Sequence, residues 1–127
     1  MQEIKKVTVK VPQAYLDLMN QIFEIEKKTL NLKEENSIQR NINKINGLLE
    51  DGIFNDVGLS SYNPLGENYS DTRTDCEATI SGTSIENLEI VEVIKPIIFY
   101  TYKENGNVMK IIAQPAVVIV QSKNIHK

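Results

Sequence analysis

The chain changes its apolar rhythm near residue 50. Up to Glu50 hydrophobic residues recur at three- and four-residue steps; beyond it they alternate or run together. In the first half, Tyr15, Leu18, Met19, Ile22, Phe23 and Ile25 fall on one helical stripe between Gln13 and Leu32. Pro12 stands just ahead, where a missing N–H costs a helix nothing. Five polar residues, "KEENS" (Lys33 to Ser37), interrupt the stripe, and a second follows at Ile38, Ile42, Ile45, Leu48 and Leu49. The two are out of phase: heptads counted from Tyr15 put Asn36 and Gln39 at positions that want apolar residues. The phase change favours a break near Asn36, with Asn36 or Ser37 as a cap; the alternative is one continuous helix that rotates its buried face there. A continuous helix from 13 to 50 would be about 57 Å long, too long for so small a chain to cover. Leu18, Ile22, Ile25, Ile38, Ile42, Ile45 and Leu49 would then form the seam with a second copy of the chain, giving a homodimer.

Ahead of the helices, "KKVTVKV" alternates valine with polar residues and reads as a short strand or extended arm. After them, Gly52 is a good helix stop and strand signals begin. "CEATIS" alternates, "LEIVEVIKPIIFYTY" reads as two strands meeting at Pro96, and "VMKIIA" and "AVVIVQ" as two more, separated around Pro115. Asn105-Gly106 between apolar runs is a strong hairpin signal. The expected fold class is α+β: a long or broken, coiled-coil-like dimerising helix over residues 1–51, then an antiparallel β-domain of about five to six short strands over 52–123, and a tail at 124–127.

Composition narrows the function classes. Hydrophobic content of 41% with 24% charged residues is ordinary for a folded soluble chain. A net charge of −3 argues against nucleic-acid binding, which needs a basic face. One cysteine leaves no internal disulfide, no window matches a membrane span, and the N-terminus carries no apolar leader; a cytoplasmic location is expected.

Little catalytic chemistry is visible. His126, the one histidine, reads as a solvated tail residue. Cys76 has no neighbouring base to activate it and reads as a strand thiol. Asp71, Asp75 and Glu77 around Arg73 do not follow a calcium-loop pattern. In an extended segment Asp71, Arg73 and Asp75 share one face, which makes a local ion-paired surface or a polar patch facing a partner. No phosphate-binding glycine loop is present. No enzyme, metal or cofactor is expected, and a protein-binding role is.

A helical half, a glycine at its end, then a small β-domain is the order seen in the GrpE family, the nucleotide exchange factors of DnaK-type chaperones. "LLEDGIFND" (Leu48 to Asp56) resembles that family's passage into its β-domain. "PLGENYSDTRTDCEA" (Pro64 to Ala78) is similar to its Gly-Glu-x-Phe-Asp-Pro stretch leading to His-Glu-Ala, with Tyr69 at the aromatic position and Glu77-Ala78 at the end. The best match is Ile90 to Val120, where Glu92-Val93 and Pro115-Ala116 with Val118 and Val120 resemble a Val-x-Glu-Val strand and an Arg-Pro-Ala-x-Val-x-Val strand. The chain departs from the pattern in a longer loop between Tyr69 and Glu77, in the absence of the histidine and of Phe-Asp-Pro, in a shorter helical part, and in Gln114 where the family usually has an arginine.

The resemblance implies a parallel dimer whose β-domain binds the ATPase domain of a DnaK-type chaperone and promotes ADP release. It places Tyr69, Arg73, Ile94 and Gln114 on or near the docking face. Two other readings stay open: a non-catalytic interaction module, such as an immunity or adaptor protein, and a small enzyme using Asp75 or Glu77 with Tyr69 or Tyr102.

Overall fold

Two helices and seven strands make up the described residues, 11–30, 38–52 and 58–123, of a computed structural model. In chain order they are α1 (Gln13–Thr29), α2 (Ile38–Gly52), β1 (Gly58–Tyr62), β2 (Asn68–Tyr69), β3 (Cys76–Ser81), β4 (Leu88–Lys95), β5 (Ile97–Glu104), β6 (Asn107–Gln114) and β7 (Ala116–Ser122). The strands form a three-stranded sheet in the order β1-β5-β6 and a four-stranded sheet in the order β2-β4-β7-β3.

The apolar run that opens β5 explains how the layers stack. Ile97 and Phe99 belong to the cluster built on the four-stranded sheet with Ile90, Val93, Val118 and Val120. Ile98 and Tyr100, on the opposite face, pack with Leu16, Met19, Ile22, Ile42 and Leu49 of the helices. A strand buried on both faces needs apolar residues at successive positions rather than alternate ones. The fold is therefore helices, then the three-stranded sheet, then the four-stranded sheet.

That packing corrects the expected fold class. The helices are short, 17 and 15 residues, about 26 and 22 Å; no long coiled-coil rod exists among the described residues. Of the expected dimer seam, Ile22, Ile42 and Leu49 are buried against the chain's own β1 and β5. Leu18, Ile25, Ile38 and Ile45 remain exposed, Leu18 and Ile25 by nearly half. The helical stripe was legible, but the surface that covers it is a sheet of the same chain.

The strand set also differs from expectation. Among the described residues it numbers seven, and β3 runs parallel to β7, from Cys76 opposite Ala116 to Ser81 opposite Gln121. The other pairings are antiparallel. Pro96 and Pro115 do separate strands: the chain leaves the four-stranded sheet at Pro96 and returns to it at Pro115. Asn105 and Gly106, with φ of 51° and 82°, make the two-residue turn between β5 and β6. Both residues take the left-handed conformation that matches strand twist. The arm at 5–10, the possible caps Asn36 and Ser37, the stretch 53–57 and the tail with His126 lie outside the described residues.

One glycine is required by close approach. A Cβ on Gly58 would lie 2.0 Å from the Glu50 carbonyl oxygen, where the end of α2 meets the start of β1. Backbone cannot retreat as a flexible side chain can. Gly58→Ala is expected to cost about 3 kcal/mol and to lower the urea midpoint in a denaturation series. A midpoint equal to that of the unmodified chain would show that the α2–β1 junction is slack.

Candidate functional site

The polar segment between β1 and β3 folds around Arg73. Asn63 starts it as a local cap, its Oδ1 accepting the Leu65 N–H at 3.1 Å. Gly66, at φ 86°, lets the chain turn and donate to the Ile90 carbonyl of β4 at 2.9 Å. Ile90 N–H returns a bond to the Glu67 carbonyl at 2.9 Å. Arg73 then gathers the segment: Nε donates to Asp75 Oδ1 at 2.6 Å, and one terminal nitrogen donates to Glu67 Oε1 at 2.7 Å. The other donates to the Asn68 carbonyl at 2.9 Å. Tyr62 at the end of β1 donates its hydroxyl to the second Glu67 oxygen.

Charge follows this geometry. Hydrogen bonds from Tyr62 and then Arg73 hold the Glu67 carboxyl below its usual range. The Arg73 guanidinium does the same for Asp75, and the hydrogen bond to Glu67 raises the Tyr62 phenol. Burial lifts the Cys76 thiol to about 11, so it stays protonated near neutrality and is a poor nucleophile. Asp75 and Glu67 are spent on Arg73 and are not poised as general bases. Among the described residues no group of three or more His, Cys, Asp and Glu is placed to hold a metal ion.

The four expected docking residues separate into two pairs. Tyr69 and Arg73 belong to the β2 end of the four-stranded sheet, since Tyr69 pairs with Leu88 and Arg73 bonds the Asn68 carbonyl. Tyr69 lines an open groove of about 460 Å³ with Ala78, Ile80, Ile85 and Leu88. Ile94 lies six residues beyond Leu88 on β4, roughly 20 Å away at strand rise. It is exposed, as is Val91, and both sit where β4 bulges against β7. Gln114, paired with Ile98 across the β5–β6 ladder, is half-buried and turns inward. Its amide exchanges hydrogen bonds with the Asn20 amide at 3.0 and 2.9 Å and donates to the Pro96 carbonyl at 3.1 Å. That bonding clamps α1 to the seam between the sheets.

The surface that sequence reasoning missed is a second groove, of about 280 Å³, where Phe23 and Val93 lie beneath exposed Leu30, Leu65 and Val91. Lys27 borders it, donating to the Val93 carbonyl at 3.1 Å. Leu65 follows a turn proline and Leu30 a helix end, so no periodic pattern flags either. Comparison of the chain with protein-family models, with curated proteins and with solved structures finds no match.

Removing Arg73 should give a pH-dependent loss of stability. Glu67 and Asp75 have depressed folded-state pKa values, so their contribution is present above their unfolded values near 4 and is lost as pH falls through the folded values. Arg73→Ala is expected to cost roughly 1–2 kcal/mol at pH 7, discounted for partial exposure. Urea unfolding across the acid range should show the deficit shrinking toward zero near pH 2. A deficit unchanged by acid would mean that Arg73 acts only through packing.

Proposed function

We propose that this chain is a GrpE-like docking protein, without catalytic chemistry of its own, that binds the ATPase domain of a DnaK-type chaperone and promotes ADP release. The observation that supports it most is the bulged β4, which leaves Val91 and Ile94 exposed beside the buried Ile90 and Val93. Bulges re-aim side chains and recur where a sheet meets something else. The Pro115-Ala116 strand named in the resemblance adds a second support, because Ala116, Val118 and Val120 are buried at the centre of the fold. Exchange on this reading requires tighter binding to the open, nucleotide-free cleft than to the closed one; tight binding alone shifts nothing.

One observation favours a second reading, an interaction module without exchange activity. Gln114 stands where the family has its chaperone-contacting arginine, and it spends its amide on Asn20 and Pro96. On this reading the docking surface is kept and the action on nucleotide is not.

Timed release of fluorescent ADP from a purified DnaK-type chaperone of the same organism separates the two. Exchange activity predicts faster release with the chain added, and a loss of roughly tenfold in potency for Ile94→Asp, the size of a 1.4 kcal/mol contact. Binding without faster release would favour the interaction module. Neither binding nor faster release would overturn the chaperone reading.

A further inference from the structure

β7 carries the same signature as β5, with half the explanation. Its sequence "AVVIVQS" is apolar at five successive positions, as befits a strand covered on both faces. One face is covered: Ala116, Val118 and Val120 are fully buried in the cluster with Ile90 and Val93. The other face holds Val117, Ile119 and Gln121, half-buried among their neighbours on the sheet. The helices pack on the three-stranded sheet instead. Among the described residues no further layer lies over this outer face.

The pairing register shows what surrounds the two aliphatic residues. Val117 lies between Glu77 of β3 and Lys95 of β4, and Ile119 between Thr79 and Glu92. Gln121 lies between Ser81 and Glu89. Directly paired residues project from the same side of a sheet, so one face presents an aliphatic centre rimmed by Glu77, Glu89 and Glu92, with Lys95 the one cation among these paired positions. None of the three carboxylates has an ion-pair partner among the described residues. By contrast Glu67 and Asp75 are both matched to Arg73.

We propose that this outer face of the four-stranded sheet is a docking surface for a protein partner whose own patch is aliphatic at its centre and lysine- or arginine-rich at its rim. The carboxylates select charge and speed encounter; Val117 and Ile119 supply the desolvated centre that gives affinity. The proposal does not depend on the chaperone reading, because the face is defined by its own chemistry. It adjoins the Ile94 surface, because the bulged residues Val91 and Ile94 emerge beside Glu92 and Lys95, but its determinants are other residues: Val117 and Ile119 with Glu77, Glu89 and Glu92.

The test uses the full chain and fluorescently labelled valine–lysine hairpin peptides whose one face carries valine at its centre and lysine at its ends, with valine–glutamate hairpins of the same layout and polylysine as comparisons. Fluorescence anisotropy should show binding of the valine–lysine hairpin alone, weakening about tenfold when salt is raised from about 0.05 to about 0.3 M. The combined E77Q, E89Q and E92Q substitutions should abolish the salt dependence and weaken binding at least about tenfold. Ile119→Lys should weaken it by a similar factor, with circular dichroism confirming that each variant is folded. The glutamine variant keeps the test decisive if Ile119→Lys does not fold. Equal binding of polylysine, no binding of the valine–lysine hairpin, or binding indifferent to the glutamine substitutions would overturn the proposal. Running the chaperone ADP-release assay on the same variants keeps the outcomes apart: peptide binding reports on this face, nucleotide release on the exchange reading.

Discussion

Burial of β5 on both faces is the constraint on which the rest of the structure depends. Ile97 and Ile98 are adjacent in sequence and both almost fully buried, yet they look into different clusters. A strand in that position must be covered by a sheet on one side and by something else on the other. The helices supply the second cover, so their apolar stripes are committed within the chain. Each cluster holds side chains from both the helical and the strand-rich parts, Phe23 reaching the first and Leu59 with Ile98 the second. Loss of either layer would expose one face of β5 at a cost of roughly 25 cal/mol for each Å² of apolar area.

Polar groups are placed where chain connections need fixing. The Gln114–Asn20 amide pair and its bond to the Pro96 carbonyl sit where the chain crosses between sheets, and prolines there leave few backbone donors to do the same work. Arg73 acts similarly for the segment from Tyr62 to Asp75, bonding two carboxylates and one carbonyl. Two of the residues expected to meet a partner thus have clear structural duties. Exposed apolar surface lies elsewhere, on the bulges of β4 and beside Phe23.

Local features of this fold were legible in the sequence. Asn105-Gly106 specifies its turn through residues that tolerate positive φ, and Pro96 and Pro115 end strands because they cannot donate to a ladder. What could not be read depends on distant parts of the chain. An amphipathic stripe looks the same whether it meets a second copy or its own sheet, so Ile22, Ile42 and Leu49 fitted both. The parallel pairing of β3 with β7 joins segments some 40 positions apart and leaves no local trace. β1 escaped notice because "GLSSY" has one large aliphatic residue, Leu59; its strand conformation comes from pairing with β5, Leu59 opposite Tyr100. Of the candidate site, the Arg73–Asp75 pair was legible as charge at alternate positions, but the segment turns instead of extending, so Glu67 takes the place expected of Asp71; the inward turn of Gln114 depended on Asn20, 94 residues away.

The central claim is that helices and sheets form one cooperative body around β5. Native-state hydrogen exchange under increasing low concentrations of urea tests it most directly. If α1, β5 and β7 share one core, their slowest amides should converge on a single opening free energy, that of global unfolding. Amides of α1 that exchange through a much cheaper opening, while β5 and β7 stay protected, would show that the helices are an independent appendage and would contradict the account.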